Sequence, residues 1–290
     1  MSDGSSSTQF VTVLVIEAAC SVVTTLLVII IIRSDPPSPP SPSEEQHSPI
    51  NIKDFISLLK NYHYLILLFS FSIGFGIFNA LATLLYQLIE PFGYNSFDAG
   101  IFDAIMILSG ILNAIIAGII MDRTHAYRLL LKILLVAACA SGIFFILILQ
   151  PNKVYPLGVS IGLIGFFTLP ILPVTFECAV ECTYPIRAEW STGLLLCVGN
   201  IVAGCFVFLL GYLVTLSPVS SSSVIMTPAS IFILCSFVIA TLVLLAYYGP
   251  YLRLEAERSS TTTATTANNI STNNHSNGNI TTTTTSPTDP

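Results

Sequence analysis

Two glutamates, Glu177 and Glu181, stand four residues apart in an otherwise apolar stretch of this 290-residue chain. Side chains four positions apart share one face of a helix, so the two carboxylates are expected to lie one above the other. A buried acid is costly unless it is paired or takes part in function. We therefore expect Glu177, about one turn deeper, to face a binding cavity or a gate, and Glu181 to pair with a cation. The alternative is that both acids form a structural cluster at the rim of the protein.

A second charged group lies in the segment GIIMDRTHAYR, which contains Gly118, Asp122, Arg123 and Arg128. Glycine allows a neighbouring helix to approach closely, aspartate suits a helix N-terminus, and the arginines can reach acids at adjacent helix ends. We interpret the segment as a gate in which Arg123 or Arg128 pairs with Glu181. The alternative is an ordinary charged loop, which would supply arginine but not the spacing from glycine to aspartate.

Seven long apolar stretches must position these charged groups. Each is long enough to cross a hydrocarbon core of about 30 Å. The composition agrees, with 53% hydrophobic and 9% charged residues and a mean hydropathy of +0.80. The predicted fold class is all-α, a polytopic membrane protein with seven transmembrane helices. The stretches cover residues 10–32, 64–88, 99–121, 129–149, 155–180, 191–215 and 229–248. Asn113, inside the third stretch, is expected to need a partner on another helix.

The positive charges predict the orientation of the chain. When the loops alternate between the two sides of the membrane, nine of the ten Lys and Arg residues fall on one side and Lys153 alone falls on the other. By the positive-inside rule that side is cytoplasmic, so the N-terminus is expected outside and the C-terminus in the cytoplasm.

Several classes of function are disfavoured by composition. The net charge is -6 and there is no basic patch, which argues against a nucleic-acid partner. None of the seven cysteines has metal-ligand spacing, so no metal site or cofactor is expected. No phosphate-binding loop or hydrolase motif occurs, so we do not expect an enzyme.

The chain is expected to divide into four parts. Residues 1–33 form a first transmembrane helix, residues 34–60 a Pro/Ser-rich cytoplasmic linker, residues 61–250 a six-helix bundle, and residues 251–290 a disordered Ser/Thr/Asn-rich cytoplasmic tail.

The charged segment resembles the loop signature of the major facilitator superfamily, G-x-x-x-D-R-x-x-x-x-R. One helix, a long cytoplasmic linker and six further helices also resemble the second part of that fold. The resemblance implies that the first helix is equivalent to helix six of a twelve-helix transporter and that residues 61–250 are equivalent to helices seven to twelve. It further implies alternating access, with the lipid bilayer, a small organic solute, and a missing N-terminal half or a second copy as partners.

The acidic stretch is similar to that of solute carrier family 49, the feline leukaemia virus subgroup C receptor-related transporters, which read P-x-x-F-E-x-A-V-E-x-x-Y-P here. The matching residues are Pro173, Phe176, Glu177, Ala179, Val180, Glu181, Tyr184 and Pro185. The segment GIFNALATLL, residues 76–85, is similar to helix seven of that family. The resemblance covers about residues 50–250.

That family resemblance implies a solute of the choline, ethanolamine or heme type and places three residues at the substrate site: Asn79, Asn200 and Glu177. Choline-transporting members carry a tyrosine where this chain has Asn79 and a cavity glutamine where it has Asn200. The aromatic site for choline is therefore expected to be weakened.

Two other functions stay open at this point. The chain could be a truncated half-transporter that acts as an interaction subunit or is not functional. A seven-helix receptor would also fit the third stretch ending in Asp122 and Arg123, although the Cys-Trp-x-Pro and Asn-Pro-x-x-Tyr motifs of receptors are missing.

Overall fold

The structure, a computed structural model, describes residues 3–31, 52–216, 227–256 and 258–259. Within this part of the chain no strand occurs. The helices are α1 (Asp3–Ile31), α2 (Ile52–Lys60), α3 (Tyr62–Ile89), α4 (Ser96–Thr124), α5 (Tyr127–Ile148), α6 (Val154–Thr168), α7 (Ile171–Thr183), α8 (Ala188–Thr215) and α9 (Pro228–Leu245), with a 3₁₀ turn at Glu90–Phe92.

Seven helical segments of the described residues are long and apolar enough to cross a membrane, which confirms the predicted all-α multi-pass membrane fold. Their ends agree with the apolar stretches to within a few residues, because a run of apolar side chains about 20 residues long has few alternatives to a spanning helix. The fifth segment consists of two helices, α6 and α7.

The chain divides into two compact units, Met1–Glu45 and Gln46–Pro290. The first unit contains α1, an apolar helix of 29 residues. The second contains α2 to α9.

The starts of α3 and α4 are set by polar capping residues. The side chain of Asn95 accepts a hydrogen bond from the backbone N–H of Asp98, and Asp98 accepts one in return from the backbone of Asn95, which starts α4. Asn61 accepts from the first turn of α3, and its Nδ2 donates to the Cys182 carbonyl at the end of α7. Such caps satisfy the N–H groups that a helix end leaves unpaired.

Helix α3 packs along α8 in the parallel sense. The Tyr64 hydroxyl donates to the Ser191 carbonyl near one end of the pair. Further along, a Cβ at Gly76 would touch the side chain of Val202, and a Cβ at Gly211 would touch Leu84. In these three contacts the residue numbers rise together on both helices. The two helices therefore run in the same direction and keep one register along their length.

Helices α4 and α6 come together more closely than ordinary side chains permit. A Cβ at Gly165 would overlap the backbone of Met106, and a Cβ at Gly110 would stand 2.7 Å from the Gly165 carbonyl oxygen. Small residues at such crossings let helices in a membrane gain dispersion contacts between their backbones.

The break between α6 and α7 lies at Leu169 and Pro170. Pro170 has no N–H, so it cannot bond to the Phe166 carbonyl four residues earlier. The Asn113 side chain on α4 donates to that carbonyl instead, at 2.7 Å. The interhelical partner expected for Asn113 is thereby confirmed, and it explains how a broken helix is tolerated inside an apolar bundle.

Helix α2 occupies the last part of the range predicted as linker. It is short, with Leu58 fully buried and Phe55 lying edge-on to Trp190 at 6.2 Å. The rest of the predicted linker and most of the predicted tail, from residue 260 onwards, lie outside the described residues.

Candidate functional site

Asn79 and Asn200 lie on the parallel helices α3 and α8. Asn79 is half-buried and Asn200 is exposed. Each amide donates to the carbonyl four residues earlier in its own helix, Asn79 to Phe75 and Asn200 to Leu196, both at 2.8 Å. The carbonyl oxygen of each amide side chain is not used by these bonds and is available to accept.

The two asparagines stand at different depths. Gly199 of α8 lies against Phe71 and Phe75 of α3, which puts Asn200 beside this level of α3. Asn79 stands about six residues further along, or about 9 Å along the helix axis. The structure therefore places them on one helix pair, along a track and not at a single point.

Polar residues continue from Asn79 along the same side of α3. Thr83 is exposed, and its hydroxyl donates to the Asn79 backbone carbonyl at 2.8 Å. Tyr86 and Glu90 follow at helical spacing, and the Tyr86 hydroxyl donates to Glu90 at 2.9 Å. A polar, exposed helix face in a membrane-spanning segment is typical of a surface that meets water or another protein element, because lipid would penalise it.

On α8 the face that carries Asn200 is lined by small residues. Gly193, Cys197 and Gly204 recur at helical spacing with Asn200 and are all exposed, and an added Cβ at Gly193 or Gly204 would meet no described residue within 4 Å. We call these four residues the small-residue face of α8.

Glu181 is 5% exposed at the end of α7, and its Oε2 accepts from the backbone N–H of Leu254 at 3.2 Å. Glu177, one turn earlier, is half-buried. Both carboxylates are close enough to Tyr127, at the start of α5, to act on its phenol electrostatically. Both acids therefore lie near the start of α5.

Arg128 packs against the segment that follows α9, residues 247–255, which we call the strap. Its guanidinium lies 4.1 Å from the ring centre of Tyr251 and 5.2 Å from that of Tyr248. The backbone N–H of Arg128 also donates to the Tyr251 hydroxyl at 3.2 Å. Such stacking combines cation-π attraction with dispersion.

One further bond holds the strap to α7, and another holds the end of α9 directly before the strap. Tyr247 is almost fully buried and its hydroxyl donates to the Cys178 carbonyl of α7 at 3.3 Å. Burial raises the pKa of Tyr247, so the phenol stays protonated and keeps this bond. Lys132 of α5 donates to the Leu245 carbonyl at 3.2 Å, where a cation suits the negative end of α9.

Two residues of the predicted gate therefore contact the strap: Arg128 from α5 and Glu181 from α7. Asp122 and Arg123 lie exposed at the end of α4. The close helix approach expected at Gly118 is not found, since a Cβ there would meet nothing within 4 Å among the described residues; close approaches occur at Gly110 and Gly165 instead.

Tyr247 and Tyr251 of this cluster were not predicted from the sequence. The segment YYGPY, residues 247–251, could have indicated them, because it places three tyrosines at the end of the last apolar stretch. Tyrosine is enriched at membrane interfaces, where one end of the ring is apolar and the other polar.

Arg128→Ala is expected to loosen the strap. Loss of the stacked guanidinium removes about 1 kcal/mol, so amide exchange in residues 247–256 should rise about fivefold. Hydrogen-deuterium exchange with mass spectrometry measures this directly. Arg123→Ala is the matched control, because it removes the same charge from an exposed position at the nearby end of α4. Equal exchange in both variants would show that Arg128 does not hold the strap.

Comparison with known proteins identifies the class. The Major Facilitator Superfamily profile matches residues 4–183, more than half of the chain. The chain therefore belongs to the major facilitator superfamily.

Individual relatives narrow this class. The chain is 35% identical over 229 residues to an uncharacterised protein of Caenorhabditis elegans, an alignment that covers 71% of this chain and 45% of that protein. It is 34% identical to solute carrier family 49 member A3 of Xenopus tropicalis, over 50% of this chain and 30% of that protein. It is 31% identical to the choline/ethanolamine transporter FLVCR2 of Homo sapiens, over 51% of this chain and 28% of that protein. These relatives confirm the resemblance to solute carrier family 49, and the chain spans less than half of the length of each.

Proposed function

We propose that this chain takes part in secondary-active transport of a small organic solute by alternating access. The observation that carries the proposal is the polar track of half-buried Asn79 and exposed Thr83 and Asn200 on two membrane-spanning helices that pack in parallel. Polar groups at this depth are expensive unless they meet water, a solute or a protein partner. The relatives named as transporters support the same reading.

The solute is proposed to bind along this track, with the amide oxygens of Asn79 and Asn200 as acceptors. Relatives are named for choline and ethanolamine, both of which carry a hydroxyl and a cationic nitrogen. Heme remains a third solute for the test. Glu177 is proposed to face the cavity from α7, at the end of the bundle where Tyr127 and the strap lie.

A transport pathway of this superfamily runs between two bundles, and the exposed sides of α3 and α8 are proposed to face the second one. The relatives extend beyond the aligned region, so either further sequence or a second copy could supply it. The small-residue face of α8 suits close contact with a helix of that bundle.

The end of the bundle that carries Arg128, Lys132 and the strap is proposed to be cytoplasmic, with the N-terminus outside. The distribution of Lys and Arg supports this orientation. In it, Arg128 and Glu181 fix the strap within their own bundle, while Asp122 and Arg123 are exposed where they can engage the second bundle and close the gate.

Uptake measurements test the proposal. Cells that produce the chain are expected to accumulate labelled choline, ethanolamine or heme above control cells, and Asn200→Ala should lower that uptake about tenfold by removing one hydrogen bond to the solute. Cys235→Ala, an equally exposed change on α9, is the control and should leave uptake unchanged. Absence of uptake for all three solutes, or equal uptake in the two variants, would contradict the proposal.

A further inference from the structure

A pocket lies where α3 faces the break between α6 and α7. Phe71, Phe75 and Phe78 of α3 form one wall, and aliphatic side chains that include Leu169 form the other. Among the described residues that line it, one polar side chain occurs, that of Thr168. The pocket is therefore apolar, and Thr168 is the one polar residue among the described residues that line it.

The Thr168 hydroxyl has no hydrogen-bond partner among the described residues. The residue is 7% exposed and is the last of α6, and its Oγ1 is buried. Other buried threonines of the bundle, Thr183 and Thr241, donate to the carbonyl four residues earlier. A hydroxyl can both donate and accept, and leaving one unpaired in an apolar wall costs free energy that a ligand could recover.

The walls of the pocket are held in place before any ligand arrives. The break that opens it follows from Pro170, and the Asn113 bond to the Phe166 carbonyl fixes the end of α6. The contact of Gly165 with the Met106 backbone prevents α6 from shifting towards α4. A preformed cavity spares a ligand part of the cost of ordering its site.

The lining favours an uncharged occupant. The described residues around the pocket include no ionised side chain that could compensate a buried charge. Phenyl faces attract cations, yet Phe71 and Phe75 stack on each other at 5.3 Å with an interplanar angle of 22°, which covers one face of each ring. Removing a cation from water without a counter-charge outweighs the attraction of the remaining faces.

We infer that this pocket is a binding subsite for an uncharged, apolar carbon group that carries one hydroxyl, which Thr168 recognises. The inference rests on the proposed function, because it names the chemistry of one uncharged part of the solute that the chain would carry. The charged nitrogen of choline or ethanolamine, for which relatives are named, would not be held in this subsite.

Two probes of nearly the same shape test the preference: 3,3-dimethyl-1-butanol, which is uncharged, and choline, which replaces its quaternary carbon by a cationic nitrogen. Binding to the purified full chain in detergent micelles is measured by titration calorimetry, with the heat of transfer into protein-free micelles subtracted. We expect the alcohol to bind at least about tenfold more tightly than choline, since one unpaired buried charge costs that much or more.

Thr168→Val keeps the shape of the side chain and removes the hydroxyl. It should weaken binding of the alcohol about tenfold, while Thr168→Ser retains it. Thr175→Val is the matched control, because Thr175 is a second buried threonine of the broken helix with an unpartnered hydroxyl, at 1% exposure, and does not line the pocket. Both valine variants should also unfold at a higher temperature than the wild type, which shows that they fold.

Three results would overturn the inference: choline binding as tightly as the alcohol, equal affinities in Thr168→Val and Thr175→Val, or no binding of the alcohol by the wild type. The uptake and binding experiments can fail independently. Binding of the alcohol without uptake of any solute would contradict the proposed transport function and support the subsite. Uptake of a solute without binding of the alcohol would support transport and contradict the subsite.

Discussion

Gly165→Ala is expected to lower the free energy of unfolding by about 3 kcal/mol, at the upper end of what overpacking costs in a core. A methyl group at this position would overlap the carbonyl of Met106 and lie 2.7 Å from its Cγ. A side chain could rotate away, but the backbone carbonyl can move only with the whole of α4. The two helices must therefore separate, and the contacts between Gly110 and Gly165 are lost with them.

Gly204→Ala and Gly193→Ala on α8 provide the control, because the same methyl group would meet nothing within 4 Å in the part of the chain that the structure describes. Alanine is the better helix former, so these variants should change the free energy of unfolding by less than about 0.5 kcal/mol or stabilise the chain slightly. The comparison is made by titrating the purified proteins with sodium dodecyl sulfate in mixed micelles and following helix content. If Gly165→Ala matches the controls, the close approach of α4 and α6 does not contribute to stability.

The seven spans could be predicted because each is specified by its own residues. A run of apolar side chains identifies a spanning helix without knowledge of its neighbours. The break at Pro170 could not be predicted in the same way, since the donor that makes it tolerable, Asn113, stands on another helix 53 residues away from Phe166. Asn113 reaches the Phe166 carbonyl because α4 and α6 pack closely at Gly110 and Gly165. Local sequence patterns do not predict this contact between helices.

The same distinction separates the predicted from the unpredicted part of the site. Glu181 and Arg128 stand out by residue type and by a family signature. Their shared contact with the strap depends on a backbone N–H at Leu254, which any residue except proline offers, and on rings that lie more than 100 residues away along the chain. The pocket at Thr168 was likewise hidden, because its walls come from α3 and from the break in the fifth span.

Asn113→Leu is expected to lower the free energy of unfolding by about 2 kcal/mol, because it leaves the Phe166 carbonyl without a donor in an apolar interior. The cost should depend on Pro170. Pro170→Ala restores an N–H four residues after Phe166, and the helical backbone of Pro170 allows that group to donate to the freed carbonyl. In the Pro170→Ala background Asn113→Leu should therefore cost only about half as much.

Asn79→Leu is the matched control for the Asn113 cycle. Its amide donates to the Phe75 carbonyl of its own helix, which the α3 backbone can satisfy without help, so the change should cost less than about 0.5 kcal/mol. The four proteins of the cycle and this control are compared by the same unfolding titration. A cost for Asn113→Leu that is independent of Pro170 would mean that Asn113 stabilises α4 by packing alone. A coupled cost means that Asn113 satisfies the carbonyl that Pro170 leaves unpaired, and so stabilises the break beside the pocket that Thr168 lines.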